Sequence, residues 1–239
     1  MIEIRDLSVS FGGVRALDGL TMTLQDPVVG IIGPNGAGKT TLLNVFSGFV
    51  TPSSGSIRAF GTELLAMRPH ERARWGLRRS FQTEQVVDDL SVWDNVRVVL
   101  DSAPRAPGGD MRSQVAAALE FVGLAAQARV IGAALNAYER RMVELAKTVV
   151  GTPRLVLLDE PGAGLRDDEA ARLREIILGI HPRFGATVLL IDHDVELIVA
   201  TCTSTVVLDF GQLLVVGPTA QVLQDDRVKA AYLGIEEVE

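Results

Sequence analysis

The sequence predicts an α/β fold, and three observations predict it. An apolar run, Val28-Val29-Gly30-Ile31-Ile32, enters a glycine-rich loop and then Thr41-Leu42-Leu43-Asn44-Val45-Phe46, which reads as the start of a helix. Three further apolar runs, 155–158, 186–191 and 205–208, have the continuity of strands buried on both faces. From Pro69 to about Gly151 the pattern turns helical, which makes this stretch an insertion in a strand-rich chain.

The elements follow in order. Ile2 to Val9 and Ala16 to Leu24 alternate apolar and polar residues, as half-buried strands do. Ile57-Arg58-Ala59-Phe60 follows the turn Pro52-Ser53-Ser54-Gly55. Val92 to Leu100 and Met111 to Val122 space their apolar residues about 3.6 apart, and the segment 103–110 between them reads as a surface loop. A helix is expected over Arg140 to Val150, capped by Gly151 and stopped by Pro153. From Leu155 onward strands and helices alternate, with Gln212 to Val216 as a shorter last strand. There is no internal repeat and no low-complexity tract.

The loop is the most specific feature. Gly33-Pro34-Asn35-Gly36-Ala37-Gly38-Lys39-Thr40 fits GxxxxGK[ST] at every defined position, in the strand–loop–helix context that the pattern requires. Its glycines let backbone N–H groups turn inward around a phosphate. Lys39 reaches the outer phosphates as a point charge, the Thr40 hydroxyl suits Mg²⁺, and the helix N-terminus adds partial positive charge. Candidate nucleotide-binding residues are Gly33, Asn35, Gly36, Ala37, Gly38, Lys39, Thr40 and Thr41.

Bulk properties exclude other classes. The net charge of −7 argues against nucleic acid as a partner. The single cysteine, Cys202, excludes an internal disulfide and reads as a buried structural thiol. The N-terminus has no long apolar stretch, so no signal peptide is expected. No segment approaches the ~20 apolar residues of a membrane span, so a soluble protein that docks on a membrane protein is expected.

Further candidates lie along the chain. Leu155-Val156-Leu157-Leu158 ends in Asp159 and Glu160. Asp159 at a strand end suits Mg²⁺, directly or through water, and Glu160 suits a general base for the attacking water. His193 follows an apolar strand and suits the γ-phosphate and the in-line water. Gln82 offers a neutral amide to the metal or water shell. Phe11, before Gly12-Gly13, suits stacking on adenine; the alternative is a core aromatic.

An aromatic, a Walker A loop, a lone Gln, a signature helix, a Walker B strand with Glu, then His: this order resembles the ATPase subunit of an ABC transporter over nearly the whole chain. Phe11-Gly12-Gly13-Val14-Arg15-Ala16-Leu17, Arg79-Ser80-Phe81-Gln82, Leu90-Ser91-Val92-Trp93-Asp94-Asn95-Val96 and Ile191-Asp192-His193-Asp194 are similar to the branched-chain amino acid importer group. So are Val207-Leu208-Asp209-Phe210-Gly211 and Ala231-Tyr232-Leu233-Gly234. Close relatives in that group handle urea and short amides.

The resemblance implies a P-loop NTPase (RecA-like) core with an antiparallel β subdomain and an inserted α-helical subdomain. It implies one ABC ATPase domain over 1–239, with core and β subdomain at 1–82 and 152–239 and helices at about 83–151. It further implies ATP and Mg²⁺, with Thr40, Gln82 and Asp159 toward the metal, Glu160, His193 and Gln82 as the catalytic set, and Asn136 toward nucleotide. The implied partners are a second ATPase subunit, in a homo- or heterodimer, and transmembrane permease subunits met by roughly Thr83 to Val92. An extracytoplasmic solute-binding protein is a further, indirect partner. The implied location is peripheral, on the cytoplasmic face of the membrane.

The signature departs from the pattern. Where the family usually shows Leu-Ser-Gly-Gly-Gln, the chain has Leu135-Asn136-Ala137-Tyr138-Glu139. The Asn136 amide is able to donate to phosphate, Tyr138 restricts close backbone approach, and Glu139 adds negative charge that Arg140 and Arg141 are expected to offset. Arg166 stands where the family usually has Asp. These changes imply an asymmetric pair, in which this chain's ATP faces a partner's better signature; the alternative is that both sites work. The competing functions are lipid export, a non-transport ABC protein, and a non-catalytic regulator.

Overall fold

A computed structural model describes residues 1–101 and 110–233. In chain order the strands are β1 (Ile2–Phe11), β2 (Val14–Leu24), β3 (Val28–Ile32), β4 (Ser54–Ala59), β5 (Thr62–Glu63), β6 (Leu77–Arg79), β7 (Leu155–Asp159), β8 (Thr187–Ile191), β9 (Ser204–Asp209) and β10 (Gln212–Pro218). The α-helices are α1 (Lys39–Ser47), α2 (Pro69–Trp75), α3 (Val92–Arg97), α4 (Met111–Val122), α5 (Ala137–Val149), α6 (Asp167–Phe184), α7 (Val195–Thr201), α8 (Thr219–Val222) and α9 (Asp226–Val228). Positions 103–109 of the expected surface loop, and Gly234, lie outside the described residues.

The chain divides into two compact units, Met1–Arg72 with Leu189–Glu239, and Ala73–Val188. In the first unit, β1 pairs antiparallel with β2 and with β4, in the sheet order β2-β1-β4-β5. Ile2, Ile4, Leu7 and Val9 are buried with polar residues between them, and the expected alternation slips once, at Arg5-Asp6, where the pairing with β2 shifts register. A second sheet in this unit runs β10-β9-β3-β8, with β3 and β9 parallel and β9 and β10 antiparallel. All five residues of β3 are buried, which is why its sequence is continuously apolar. Gly30 belongs there because a Cβ would come within 3.1 Å of the Cys202 sulfur and 3.2 Å of Thr205 Oγ1.

Helix α1 ends on Gly48 in the left-handed conformation (φ 82°), whose N–H donates to the Asn44 and Val45 carbonyls. Arg72, 5% exposed, completes this terminus: its guanidinium donates to the carbonyls of Val45, Phe46 and Met67. Burial lowers the pKa of that guanidinium. Cys202 is buried, as expected of a structural thiol, and burial pushes it up to about 11.

In the second unit β6 and β7 are parallel, with Leu77, Arg78 and Arg79 opposite Leu155, Val156 and Leu157. β6 falls inside the stretch read from sequence as helical. Three residues carry no periodicity of their own, so pairing with β7 decides their state. Helices α4 and α6 meet where the Phe121 and Phe184 rings sit edge to face, with centroids 4.9 Å apart. Gly179 allows the approach, since a Cβ there would lie 2.9 Å from the Phe121 ring.

Helix α5 starts three residues before the expected Arg140. Asn136 is the reason: its side-chain oxygen accepts from the Glu139 N–H at 2.9 Å, and the Glu139 carboxylate accepts from the Asn136 N–H at 3.0 Å. This capping box is a start signal inside a run read as signature loop. The C-cap is not the expected Gly151 but Val150, whose extended backbone (φ −67°, ψ 139°) ends the helix one residue earlier; Gly151 follows at φ 82°.

Two outcomes test this packing. Replacing Arg72 with Ala leaves three carbonyls without their buried donor and should cost about 3 kcal/mol in urea unfolding. The Cys202 thiol holds its proton in the folded chain from its ordinary 9.0 up to about 11, whereas the unfolded chain releases it. Stability should therefore fall across that pH window, and Cys202→Ala should remove this component of the fall in parallel unfolding curves.

Candidate functional site

The first unit presents the glycine-rich loop between β3 and α1. Its three glycines are needed for different reasons. Gly33 has φ 148°, and a Cβ there would lie 2.1 Å from the Leu208 carbonyl oxygen. Gly38 has φ 100°, and its Cβ would lie 2.5 Å from the Ala16 carbonyl oxygen. Gly36 has φ 81° but faces open space, with nothing within 4 Å of a Cβ. Two glycines thus seat the loop on its own scaffold, and the third turns the backbone where a ligand would approach.

The loop is tied down at its base. The Gly211 N–H donates to the Ala37 carbonyl at 3.1 Å, and the Asp18 N–H donates to the Gly211 carbonyl at 2.8 Å. Lys39 is 6% exposed, and its ammonium donates to the carbonyls of Gly33 at 2.7 Å and Pro34 at 3.0 Å. These bonds place Nζ across the mouth of the loop. Helix α1 begins on Gly38 with no side-chain cap and no acidic residue in its first turn. Its N-terminal N–H groups and dipole therefore suit an anion. Ala37 is buried, Thr41 is half-buried, and Asn35, Gly36 and Thr40 are exposed. A phosphate chain fits this cradle.

Phe11 is 52% exposed at the end of β1, so it is no core aromatic. Sequence reading missed a second exposed aromatic, Phe210, at φ 43° in the turn whose Gly211 anchors the loop. His193 is exposed, between buried Asp192 and exposed Asp194. Asp194 donates its N–H to Asp192 Oδ1 at 3.0 Å and caps α7, which fixes the chain on either side of the histidine.

The second unit presents the carboxylates. Asp159 is 2% exposed, and its Oδ2 accepts from Arg79 at 2.9 Å in a buried ion pair. Its N–H donates to Ser80 Oγ at 3.2 Å. Sequence reading gave Arg79 and Ser80 no role, because an ion pair across two parallel strands leaves no spacing signal. Next in the chain, Glu160 holds φ 51°, a left-handed backbone that a non-glycine residue rarely adopts. Such strain persists where the surroundings over-determine it, often at functional sites. Gln82 is exposed and follows Phe81, whose ring lies under the Arg79 guanidinium at 5.2 Å from its centroid. Among the described residues no three His, Cys, Asp or Glu side chains group to hold a metal. Within this unit the Gln82 amide and the Asp159 carboxylate are oxygen donors of the kind Mg²⁺ takes.

The two departures named from sequence come together within this unit. Asn136, Tyr138, Arg166 and Glu169 line both of two cavities, of about 400 Å³ and 310 Å³. Burial pushes the Tyr138 phenol above its ordinary value. The Asn136 oxygen is committed to its helix cap. The expected offset of Glu139 by Arg140 and Arg141 is not what forms: Arg140 pairs with Asp88 at 2.8 Å and Arg141 with Glu84 at 2.8 Å. Arg166 pairs with Asp168 and Glu169, so its reversed charge is answered locally.

Residues 17–163 match the ABC transporter family. The chain belongs to that family. It is an ATPase of the branched-chain amino acid group, as two relatives indicate. One is the high-affinity branched-chain amino acid transport ATP-binding protein BraF of Pseudomonas aeruginosa, 32% identical over 98% of each chain. Another is LivG of Escherichia coli (strain K12), 30% identical over 98% of each chain. The lipopolysaccharide export ATP-binding protein LptB of Acidithiobacillus ferridurans is 35% identical over 87% of this chain and 85% of its own. The ADP conformation of MJ1267, an ATP-binding cassette of an ABC transporter, has the same fold, with a TM-score of 0.86 and 26% identity over 98% of this chain and 99% of that one.

The loop generates a paired test. Gly36→Ala should cost only the left-handed backbone penalty, about 1–2 kcal/mol. Gly33→Ala must also move backbone away from Leu208 and should unfold at clearly lower urea. Equal midpoints for the two variants would refute the scaffold role given to Gly33.

Proposed function

We propose that the chain is the ATP-binding, ATP-hydrolysing subunit of an importer for branched-chain amino acids or related small polar solutes such as urea and short amides. The observation that carries this is an intact phosphate cradle, Gly33 to Thr41, in a chain that also keeps Asp159 and Glu160 at the end of a buried strand. Identity of 32% over 98% of both chains to a branched-chain amino acid transport ATP-binding protein, against 29% over 98% and 97% for the lipopolysaccharide export ATP-binding protein of Haemophilus influenzae, supports import. Export is the second reading, and the 35% identity of LptB favours it.

In this reading Phe11 stacks on adenine. The N–H groups of Gly33, Asn35, Gly36, Ala37, Gly38, Lys39, Thr40 and Thr41 and the Lys39 ammonium bind the phosphates. Thr40, Gln82 and Asp159 would hold Mg²⁺, which would neutralise phosphate charge. Glu160 accepts a proton from water as its oxygen bonds the γ-phosphorus and the bond to ADP breaks. His193 orients the γ-phosphate, and Gln82 orients the water. A second ATPase subunit pairs with this one, and Asn136 at the N-terminus of α5 faces the partner's nucleotide. Tyr138 in place of glycine makes that the weaker site of an asymmetric pair. Permease subunits dock on roughly Thr83 to Val92, and a solute-binding protein outside delivers the solute. No described helix is long and apolar enough to cross a membrane, in keeping with a peripheral subunit held by its permease on the cytoplasmic face.

Glu160→Gln tests the chemistry. Turnover should fall by roughly 10²-fold or more, while ATP binding measured calorimetrically persists and ATP-bound dimer accumulates. Unchanged turnover would mark a regulator instead. Solute uptake in vesicles holding the permease complex separates import from export.

A further inference from the structure

Helix α5 carries three cations that all reach one short segment. Arg140 donates to Asp88 Oδ1 at 2.8 Å and to the Val86 carbonyl at 3.4 Å. Lys147 donates to the Gln85 carbonyl at 2.7 Å and to Glu144 on its own helix at 2.6 Å. Arg141 donates to Glu84 Oε1 through both Nε, at 3.0 Å, and Nη2, at 2.8 Å. Residues 84–88 are therefore held along the helix rather than left as an independent loop.

Arg141 alone of the three also reaches the catalytic backbone. Its Nη1 donates to the carbonyls of Glu160 at 3.1 Å and Pro161 at 2.7 Å. These are the carbonyls of the turn in which Glu160 takes φ 51°. The guanidinium is a planar fork with fixed donor directions, so three donors engaged at once fix its orientation. Its side chain is only 11% exposed, which strengthens each of these bonds against competition from water. Burial pushes the Glu84 carboxyl upward, but the Arg141 hydrogen bonds and charge more than reverse this, so Glu84 stays below the usual carboxylate range.

We propose that Arg141 is a positioning residue for hydrolysis: it holds the Glu160–Pro161 turn in its left-handed form and ties that turn to Glu84. The inference rests on the reading of Glu160 as general base. Arg141 touches no reacting atom; it fixes the backbone that aims the Glu160 carboxylate. Glu84 keeps the fork in place from the other side. A shift of residues 84–88 is thereby passed to Glu160 through one side chain.

The test is ATP turnover by the full chain in its transport complex, with Glu160→Gln as reference. Arg141→Ala should lower kcat about 10- to 100-fold, the penalty of a base misplaced by about 1 Å, with KM for MgATP nearly unchanged. Added guanidinium ion should restore part of the lost rate, which a merely structural defect would not allow. Arg141→Lys, which cannot form the fork, should fold and show the same split more mildly; it is read in place of Arg141→Ala if that variant misfolds. Glu84→Gln keeps an acceptor oxygen and should lose less rate than Arg141→Ala. Unchanged kcat in a folded Arg141 variant, or a rise in KM matching the fall in rate, overturns the positioning role. If Glu160→Gln keeps full turnover, the parent reading fails instead.

Discussion

The phosphate cradle depends on backbone packing tight enough to forbid a single methyl group. Gly33 and Gly38 lie so close to the carbonyls of Leu208 and Ala16 that any side chain would collide with main chain rather than with movable atoms. The loop is thus pinned to β9 and β2, and Gly211 pins it again through the Ala37 carbonyl. A loop held this firmly keeps its N–H groups aimed without a ligand present. Preorganisation of this kind spares the entropy of ordering on binding. The two carbonyl contacts of Lys39 set its charge beside the same N–H groups.

The second unit solves a different problem, that of keeping buried charge satisfied. Asp159 is sealed at the end of β7 and answered by Arg79 from the neighbouring strand. Removing one partner of such a pair typically costs about 3–5 kcal/mol, because the other charge stays buried. Arg78, beside it, shows the opposite case: its buried Nη1 donates to the Ala73 and Leu77 carbonyls, and desolvation pushes its pKa down to about 10. Around Asp159 the strands, the Ser80 hydroxyl and Arg79 form one connected set, so the sheet fixes the strand end that leads into Glu160, and Arg141 bonds the carbonyls of the turn that follows.

The signature region is where local chemistry and family pattern diverge. Asn136 and Glu139 make a complete capping box, which is a good reason for those residue types irrespective of any ligand. Tyr138 is packed among Arg166, Glu169 and Arg172 around a cavity, and Arg166 is neutralised by the first turn of α6. The two unusual residues, read separately in the sequence, belong to one rearranged surface.

What the sequence determined by itself is what depends on neighbours along the chain. Strand alternation in β1 and β2, the apolar runs of β3, β7, β8 and β9, the spacing of α4 and the glycine loop all follow from local periodicity and backbone freedom, and each was legible. Tertiary structure alone decided the rest. The strand state of Leu77–Arg79 and the pairing of Arg79 with Asp159 each join residues far apart in sequence. So does the reach of Arg141 to both Glu84 and the Glu160 carbonyl. A long flexible cation chooses its partner by which carboxylate or carbonyl the fold brings within hydrogen-bond reach, and spacing along the chain does not encode that distance.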